Sequence, residues 1–407
     1  MSKISRLLAV PALVACALIL VDAAIAQKKY DTGATDTEIK IGNIMPYSGP
    51  ASAYGVSGRT QSGYFKKIND EGGINGRKIN FISYDDGYSP PKTVEQARKL
   101  VESDEVLLIH SSLGTASNSA IQKYMNAKKV PQLFVSTGAT KFGDHKNFPW
   151  TIGWQPNYQS EGRVYAKYLL QNHPHGKIGI IFQNDDYGKD VVKGIKDGLN
   201  GKMKIVAEAP YEINDTTPDS QVVNVKAAGA DILFNVSTPK FAAQVIKKVA
   251  ELGWKPLHIV NNVGASVGAV LRPAGVENSV GILTAGYLKD PTDPALQNDP
   301  EFQEWSAFMD KYYPEGDKAN GSTVSGYGLA QTLVHVLKQC GDVLTRENVM
   351  KQATNLENLR IKMLRPGILI NTSPSDYYPI EQLQMLRFNG HNWEIIGDVL
   401  SGEVGGT

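Results

Sequence analysis

Short, continuous apolar runs alternate along this chain with stretches of helix length, and that alternation limits the folds open to it. Strand-like runs lie at Glu38 to Ile44, Lys78 to Tyr84, Val106 to Ile109, Leu133 to Val135, Ile178 to Phe182, Ile232 to Val236 and Leu257 to Val260. An uninterrupted apolar run bounded by turn residues predicts a strand buried on both faces, as in a parallel sheet covered by helices. Helical patterns separate the runs. One follows Ser89-Pro90-Pro91 and puts Val94, Ala97, Leu100 and Val101 on one face; others lie near 187–199 and 239–252. The fold class expected is α/β with doubly wound, mostly parallel sheets. A chain of 407 residues exceeds one ordinary hydrophobic core, so two lobes are expected. Beyond residue 285 the spacing predicts helices near 300–312, 322–340 and 345–354. A hairpin then turns at Asn389-Gly390, between Gln382 to Phe388 and Trp393 to Ile396.

Two of the predicted strands run straight into loops of small residues, Leu113-Gly114-Thr115-Ala116-Ser117 and Ser136-Thr137-Gly138-Ala139-Thr140. Loops after parallel strands lie at the carboxyl edge of the sheet, where open α/β sheets bind ligands. Glycine, serine and threonine there expose backbone N–H groups and hydroxyls, and a following helix N-terminus favours an anion. Side by side, the loops would accept a small carboxylate, with Thr140 offering its hydroxyl. They hold no acid, base or metal ligand, which favours holding a ligand over transforming it.

The overall charge is +1, and removal of residues 1–26, with Lys3, Arg6 and Asp22, leaves a formally neutral chain. That gives no support for nucleic-acid binding or for a polybasic membrane surface. The first residues read as an export signal: Lys3 and Arg6, an apolar run from Leu7 to Val21, then the small-residue cleavage pattern Ala24-Ile25-Ala26. The run is short of the roughly 20 residues of a spanning helix. A second reading takes Leu13-Val14-Ala15-Cys16 as a lipoprotein signal with a lipid on Cys16. Cleavage after Ala26 leaves Cys340 as the only cysteine, which excludes an intrachain disulfide and a cysteine-based zinc site.

Other motifs carry competing readings. Gly264-Ala265-Ser266-Val267-Gly268 matches the nucleophile elbow of secreted hydrolases, with His335 or His391 downstream to complete a triad, but no oxyanion motif lies upstream. His173-Pro174-His175 reads as an exposed turn, and Asp85-Asp86 as capping groups at a strand end. No metal and no cofactor are expected.

Asn43-Ile44-Met45-Pro46-Tyr47-Ser48-Gly49-Pro50, Ala53-Tyr54-Gly55, Asn69 to Gly76, Tyr84-Asp85-Asp86 and Asp185-Asp186-Tyr187-Gly188 follow one another in an order and spacing that resembles the periplasmic branched-chain amino-acid binding proteins, the soluble receptors of hydrophobic amino-acid ABC importers. The resemblance implies two α/β lobes joined by three crossings, lobe I being 27–148 plus 286–364 and lobe II 149–285 plus 365–407. It implies a periplasmic monomer that hands a small molecule to membrane permease subunits. Carried over residue by residue, it places the ligand carboxylate at Leu113, Gly114 and Thr115 and at Gly138, Ala139 and Thr140, with Tyr54 and Tyr187 closing the pocket. Leucine-type members pair the ligand ammonium with an acidic residue on the second lobe; here Asn262 occupies that place, and a second-lobe tyrosine is replaced near Ser237-Thr238. A buried ammonium without a charged partner is costly. The expected ligand is therefore a carboxylate without an amine, aromatic for preference, with Trp154 placed to stack on it. The alternative is a branched-chain or other apolar amino acid.

Overall fold

The computed structural model describes residues 28–402; the predicted export signal and Cys16 lie outside them. The chain opens with a short strand β1 (Lys29–Tyr30) and then alternates strand and helix: β2 (Glu38–Met45), α1 (Gly55–Asp70), β3 (Lys78–Asp85), α2 (Pro90–Arg98), β4 (Leu108–His110), α3 (Thr115–Lys128), β5 (Gln132–Val135) and β6 (Thr151–Gly153). Strands β2 to β6 form one parallel sheet in the order β3-β2-β4-β5-β6. The second series comprises α4 (Tyr158–Asn172), β7 (Lys177–Gln183), α5 (Asp186–Leu199), β8 (Lys204–Tyr211), α6 (Asp219–Ala227), β9 (Ile232–Val236), α7 (Pro239–Glu251), β10 (Leu257–Val260), the short helices α8 (Arg272–Ala274) and α9 (Val276–Ser279), and β11 (Leu283–Gly286). Helices α10 (Pro300–Tyr312) and α11 (Gly321–Cys340), strand β12 (Val343–Leu344) and α12 (Arg346–Ala353) then return to the first lobe, where α11 packs on α1. The antiparallel hairpin β13 (Gln382–Phe388) and β14 (Trp393–Ser401) completes a seven-stranded second sheet, β14-β13-β11-β10-β9-β7-β8.

The apolar runs form strands because both faces are covered: all five residues of β9 and all four of β5 are buried. The fold is thus two doubly wound lobes with three passages between them, after β6, after β11 and between α12 and β13. The first passage lies later than the sequence suggests. Thr151–Gly153 pairs with β5, so the chain leaves the first sheet after Gly153 rather than at 148. Three residues are too short for a periodic signal, and β8, whose burial is patchy, gave none either.

Each sheet has a switch point where the strand order reverses, between β2 and β4 in the first and between β7 and β9 in the second. Ligands of open α/β sheets bind outside the carboxyl ends of the strands at such points. Here the loops after β2, β4, β7, β9 and β10 all reach one interlobe cleft.

Candidate ligand-binding cleft

The cleft encloses about 1140 Å³, counted out to its open mouth. Aromatic side chains stand on its wall from every side: Tyr54 and Tyr88 from the first lobe, Tyr158 and Tyr287 from the passages, Tyr187 and Trp393 from the second. Burial holds the Tyr54, Tyr88 and Tyr187 phenols well above their ordinary pKa, so they stay neutral.

Gly114 explains how the first lobe presents its edge. Its φ of 100° is open to glycine at little cost, and a Cβ there would stand 2.6 Å from the Tyr88 ring. No side chain caps α3 at Gly114, so the first N–H groups of the helix beside Thr115 are left for another acceptor. Tyr88 is itself held with φ 62°, its N–H bonded to Asp86 Oδ1 at 2.9 Å. Asp86 also accepts from Thr93 and Ser117, and Asp85 accepts from the N–H groups of Tyr47, Ser48 and Gly87. The paired carboxylates are turn-builders. On the second lobe, Asp185 caps α5 through the N–H groups of Tyr187 and Gly188 and so places Tyr187 on the cleft wall, where its hydroxyl donates to Asn261 Oδ1 of the same lobe at 2.9 Å.

Six of the residues named from sequence line this cleft: Tyr54, Leu113, Gly114, Thr115, Tyr187 and Asn262. Four do not. Gly138 lies against Pro156 and the Tyr158 ring, and Ala139 is buried in the core. Thr140 turns to the second lobe: its N–H and hydroxyl donate to Asp190 Oδ2 at 2.7 and 2.9 Å, which leaves neither for a carboxylate. Trp154 is 1 % exposed, donates from Nε1 to Thr332 at 3.0 Å, and meets only the edge of Tyr287. The first small-residue loop opens to the cleft at Leu113, Gly114 and Thr115, whereas the second reaches it only at Ser136 and then turns away to join the lobes.

Sequence reasoning missed Tyr88, Tyr158, Tyr287, Trp393 and Arg365. Tyr88 sits in a Gly-Tyr-Ser-Pro turn after a strand end, and Tyr287 directly follows a strand, so both were within reach of the reasoning that found Tyr187. Arg365 and Trp393 come from late, irregular or hairpin chain that no pattern ties to the cleft.

Among the described residues, three charged side chains line the wall, Lys289, Asp290 and Arg365. Lys289 is neutralised by Asp299 and Glu301, at 2.5 and 2.7 Å. Asp290 accepts from Thr292 on both oxygens and from the Trp393 N–H at 2.8 Å. Arg365 makes no side-chain hydrogen bond or ion pair with any described residue. Asn262 adds no charge: its Nδ2 donates to Ala285 O, while its N–H donates to Glu161 Oε1 at 2.6 Å. Glu161 is buried behind the wall, and burial pushes its carboxyl up to about 7.

Ser266 also reaches the wall, but among the described residues no histidine or carboxylate is hydrogen-bonded to it. Its oxygen accepts from the N–H groups of Ala269 and Gly321, at 3.2 and 3.1 Å, and its hydroxyl donates to Asn320. Tyr54 likewise bridges the cleft, donating to Val263 O at 2.9 Å. No cluster of His, Cys, Asp and Glu among the described residues could hold a metal ion.

A sequence profile described as periplasmic binding protein matches residues 38–390. Leu/Ile/Val-binding protein homolog 7 of Brucella abortus is 24 % identical over 331 residues, spanning 79 % of this chain and 82 % of the relative. Among solved structures, a fatty acid ABC transporter substrate-binding protein from Thermomonospora curvata superposes with a TM-score of 0.77 at 22 % identity, covering 92 % of this chain and 95 % of its own. A branched chain amino acid ABC transporter structure from Thermus thermophilus, with bound valine, gives 0.81 at 16 % identity, covering 90 % and 97 %.

Proposed function

The chain belongs to the periplasmic binding protein family, and from that premise we propose that its interlobe cleft captures a small carboxylate with an apolar, preferably aromatic, body and no ammonium group. Proteins of this family deliver small molecules to the permease subunits of ABC importers, and export to the periplasm fits the signal read at residues 1–26. The observation that carries the ligand class is the fate of acidic groups around the cleft. Asp290, the one carboxylate on the wall among the described residues, already has its oxygens bonded to Thr292 and Trp393. Asn262 offers an amide where an ammonium would need an anion. The ring of tyrosines and Trp393 supplies faces and edges suited to a flat apolar body. The Thermomonospora protein is named for a fatty acid, a carboxylate without an amine.

The alternative is an apolar amino acid. It has the names of the Brucella and Thermus relatives behind it, and Glu161 lies one residue layer behind Asn262.

A thermal-shift screen of the purified protein separates the two, because a ligand raises the melting temperature through RT ln(1 + [L]/Kd). Aromatic and aliphatic monocarboxylates are expected to give the larger shifts. A large shift with leucine or valine and none with any amine-free acid would transfer the assignment to the amino acids.

A further inference from the structure

Among the described residues, Arg365 is the one charged side chain on the cleft wall with neither an ion pair nor a side-chain hydrogen bond. It is 5 % exposed, and its Nε has neither solvent nor a hydrogen-bond acceptor. Its stem passes the end of β11, where a Cβ on Gly286 would stand 3.6 Å from Nε. Its backbone is fixed by the Arg365 N–H bond to Tyr287 O at 2.9 Å. The nearest acids act only at a distance: Asp290 is bound to Thr292 and Trp393, and the Asp293 side chain caps the turn at Ala295. Burial with no contact anion pulls the guanidinium down to about 10. A buried cation without a partner is costly, and proteins ordinarily pair such a group. The neighbouring Lys289 follows that rule with two carboxylates, and Arg365 does not.

We infer that Arg365 is the anion receptor of the cleft, its guanidinium pairing with the ligand carboxylate, while the aromatic wall between it and Gly114–Thr115 takes the apolar body. The inference rests on the proposed ligand class and assigns its charge to a residue. A guanidinium matches a carboxylate through two parallel N–H···O bonds, a geometry that no lysine reproduces. The uncapped first turn of α3 is then left for a second polar group of the ligand, such as a hydroxyl or carbonyl, rather than for the acid.

The test compares the wild type with Arg365→Met and Arg365→Lys by thermal shift and titration calorimetry. Ligand-free Arg365→Met should melt above the wild type, because it removes an unpaired buried charge while keeping most of the stem. For the best monocarboxylate of the screen, Arg365→Met should lose about ten- to hundredfold in affinity. Arg365→Lys should recover part of that loss, and the matching primary amide should bind the wild type as weakly as the acid binds Arg365→Met. Equal affinity of wild type and Arg365→Met for the acid would overturn the inference and leave the ligand class standing. If no acid in the panel binds, the ligand class falls. Acetate and benzoate titrated to high concentration then decide the inference alone, since both should raise the melting point of the wild type and not of Arg365→Met. Identical responses of the two proteins would overturn it.

Discussion

At the scale of single residues, Glu161 carries the most testable electrostatic consequence. It lies on α4, fully enclosed, and its Oε1 accepts from the Asn262 N–H and from Tyr165 Oη at 2.7 Å. Those two bonds favour the ionised form, but desolvation outweighs them, and the carboxyl sits at about 7 against an ordinary value of 4.5. A folded-state pKa raised for an acid means that the folded protein holds the proton more tightly than the unfolded chain. Stability therefore falls as pH rises from about 4.5 to about 7 and levels off above. Glu161→Gln keeps an oxygen for both donors and has no charge to bury. It should match the wild type near pH 4.5 and exceed it above neutrality by roughly 1–3 kcal/mol. Denaturant melts across that range measure it, and parallel curves for the two proteins would refute the role. The same residue bears on ligand choice: a protonated Glu161 is a poor anchor for an ammonium, and its carboxyl already holds the backbone of Asn262.

Among the elements, the segment around Gly264-Ala265-Ser266-Val267-Gly268 acquires a role that its pattern does not announce. Ser266 caps the turn of helix over Val267–Leu271 and accepts the N–H of Gly321, at the start of α11 in the first lobe. Two residues on, the Gly268 N–H donates to Ala319 O at 2.9 Å, and a Cβ on Gly268 would stand 2.4 Å from Asp317 Oδ2 and 2.8 Å from the Ala319 carbonyl carbon. The motif is a contact between lobes, and its glycine is there for close approach. Ser266→Ala should weaken ligand binding about three- to tenfold by calorimetry, the worth of a lost hydrogen bond at closure. Gly268→Ala should weaken it further by holding the segment off the Asp317–Asn320 turn that leads into α11. An unchanged affinity in both would remove the segment from closure. Covalent labelling of Ser266 by a serine-directed probe, lost in Ser266→Ala, would revive the hydrolase reading. The same elements show what sequence can carry. β9 and β10 begin and end where their apolar runs do, at Ile232–Val236 and Leu257–Val260, and α10 spans Pro300–Tyr312 as its pattern predicts, because burial and capping are local signals. The Gly138-Ala139-Thr140 loop looks identical in composition to its neighbour at Gly114, yet Asp190 of α5 reaches it first. No local signal reports which distant carboxylate will meet a threonine. Arg365 was illegible for the same reason, since its place on the wall depends on the third passage between the lobes.

On the scale of the whole molecule, the question is whether two lobes make one folding unit. A hinged receptor with separate cores would unfold in two steps, as multi-domain chains often do. Here one continuous set of buried side chains runs from Ile39, Ile41 and Leu133 of the first sheet to Ile178, Ile180 and Phe234 of the second. Trp154 stands at the join. It is the first residue after β6, is buried almost entirely, bonds Thr332 of α11 through Nε1, and rests on the edge of Tyr287, which follows β11. One side chain thereby ties the first two passages to the helix that packs on α1. The intact protein should show a single calorimetric transition with matching calorimetric and van't Hoff enthalpies. Trp154→Ala should cost about 3–5 kcal/mol and split the transition in two, because it removes the packing that couples the lobes. Trp154→Phe, which keeps a ring and loses only the bond to Thr332, should lower the melting point while preserving a single step. A single, uniformly lowered transition in Trp154→Ala would show that coupling is carried instead by the polar contacts across the cleft, those of Thr140 with Asp190 and of Ser266 with Gly321.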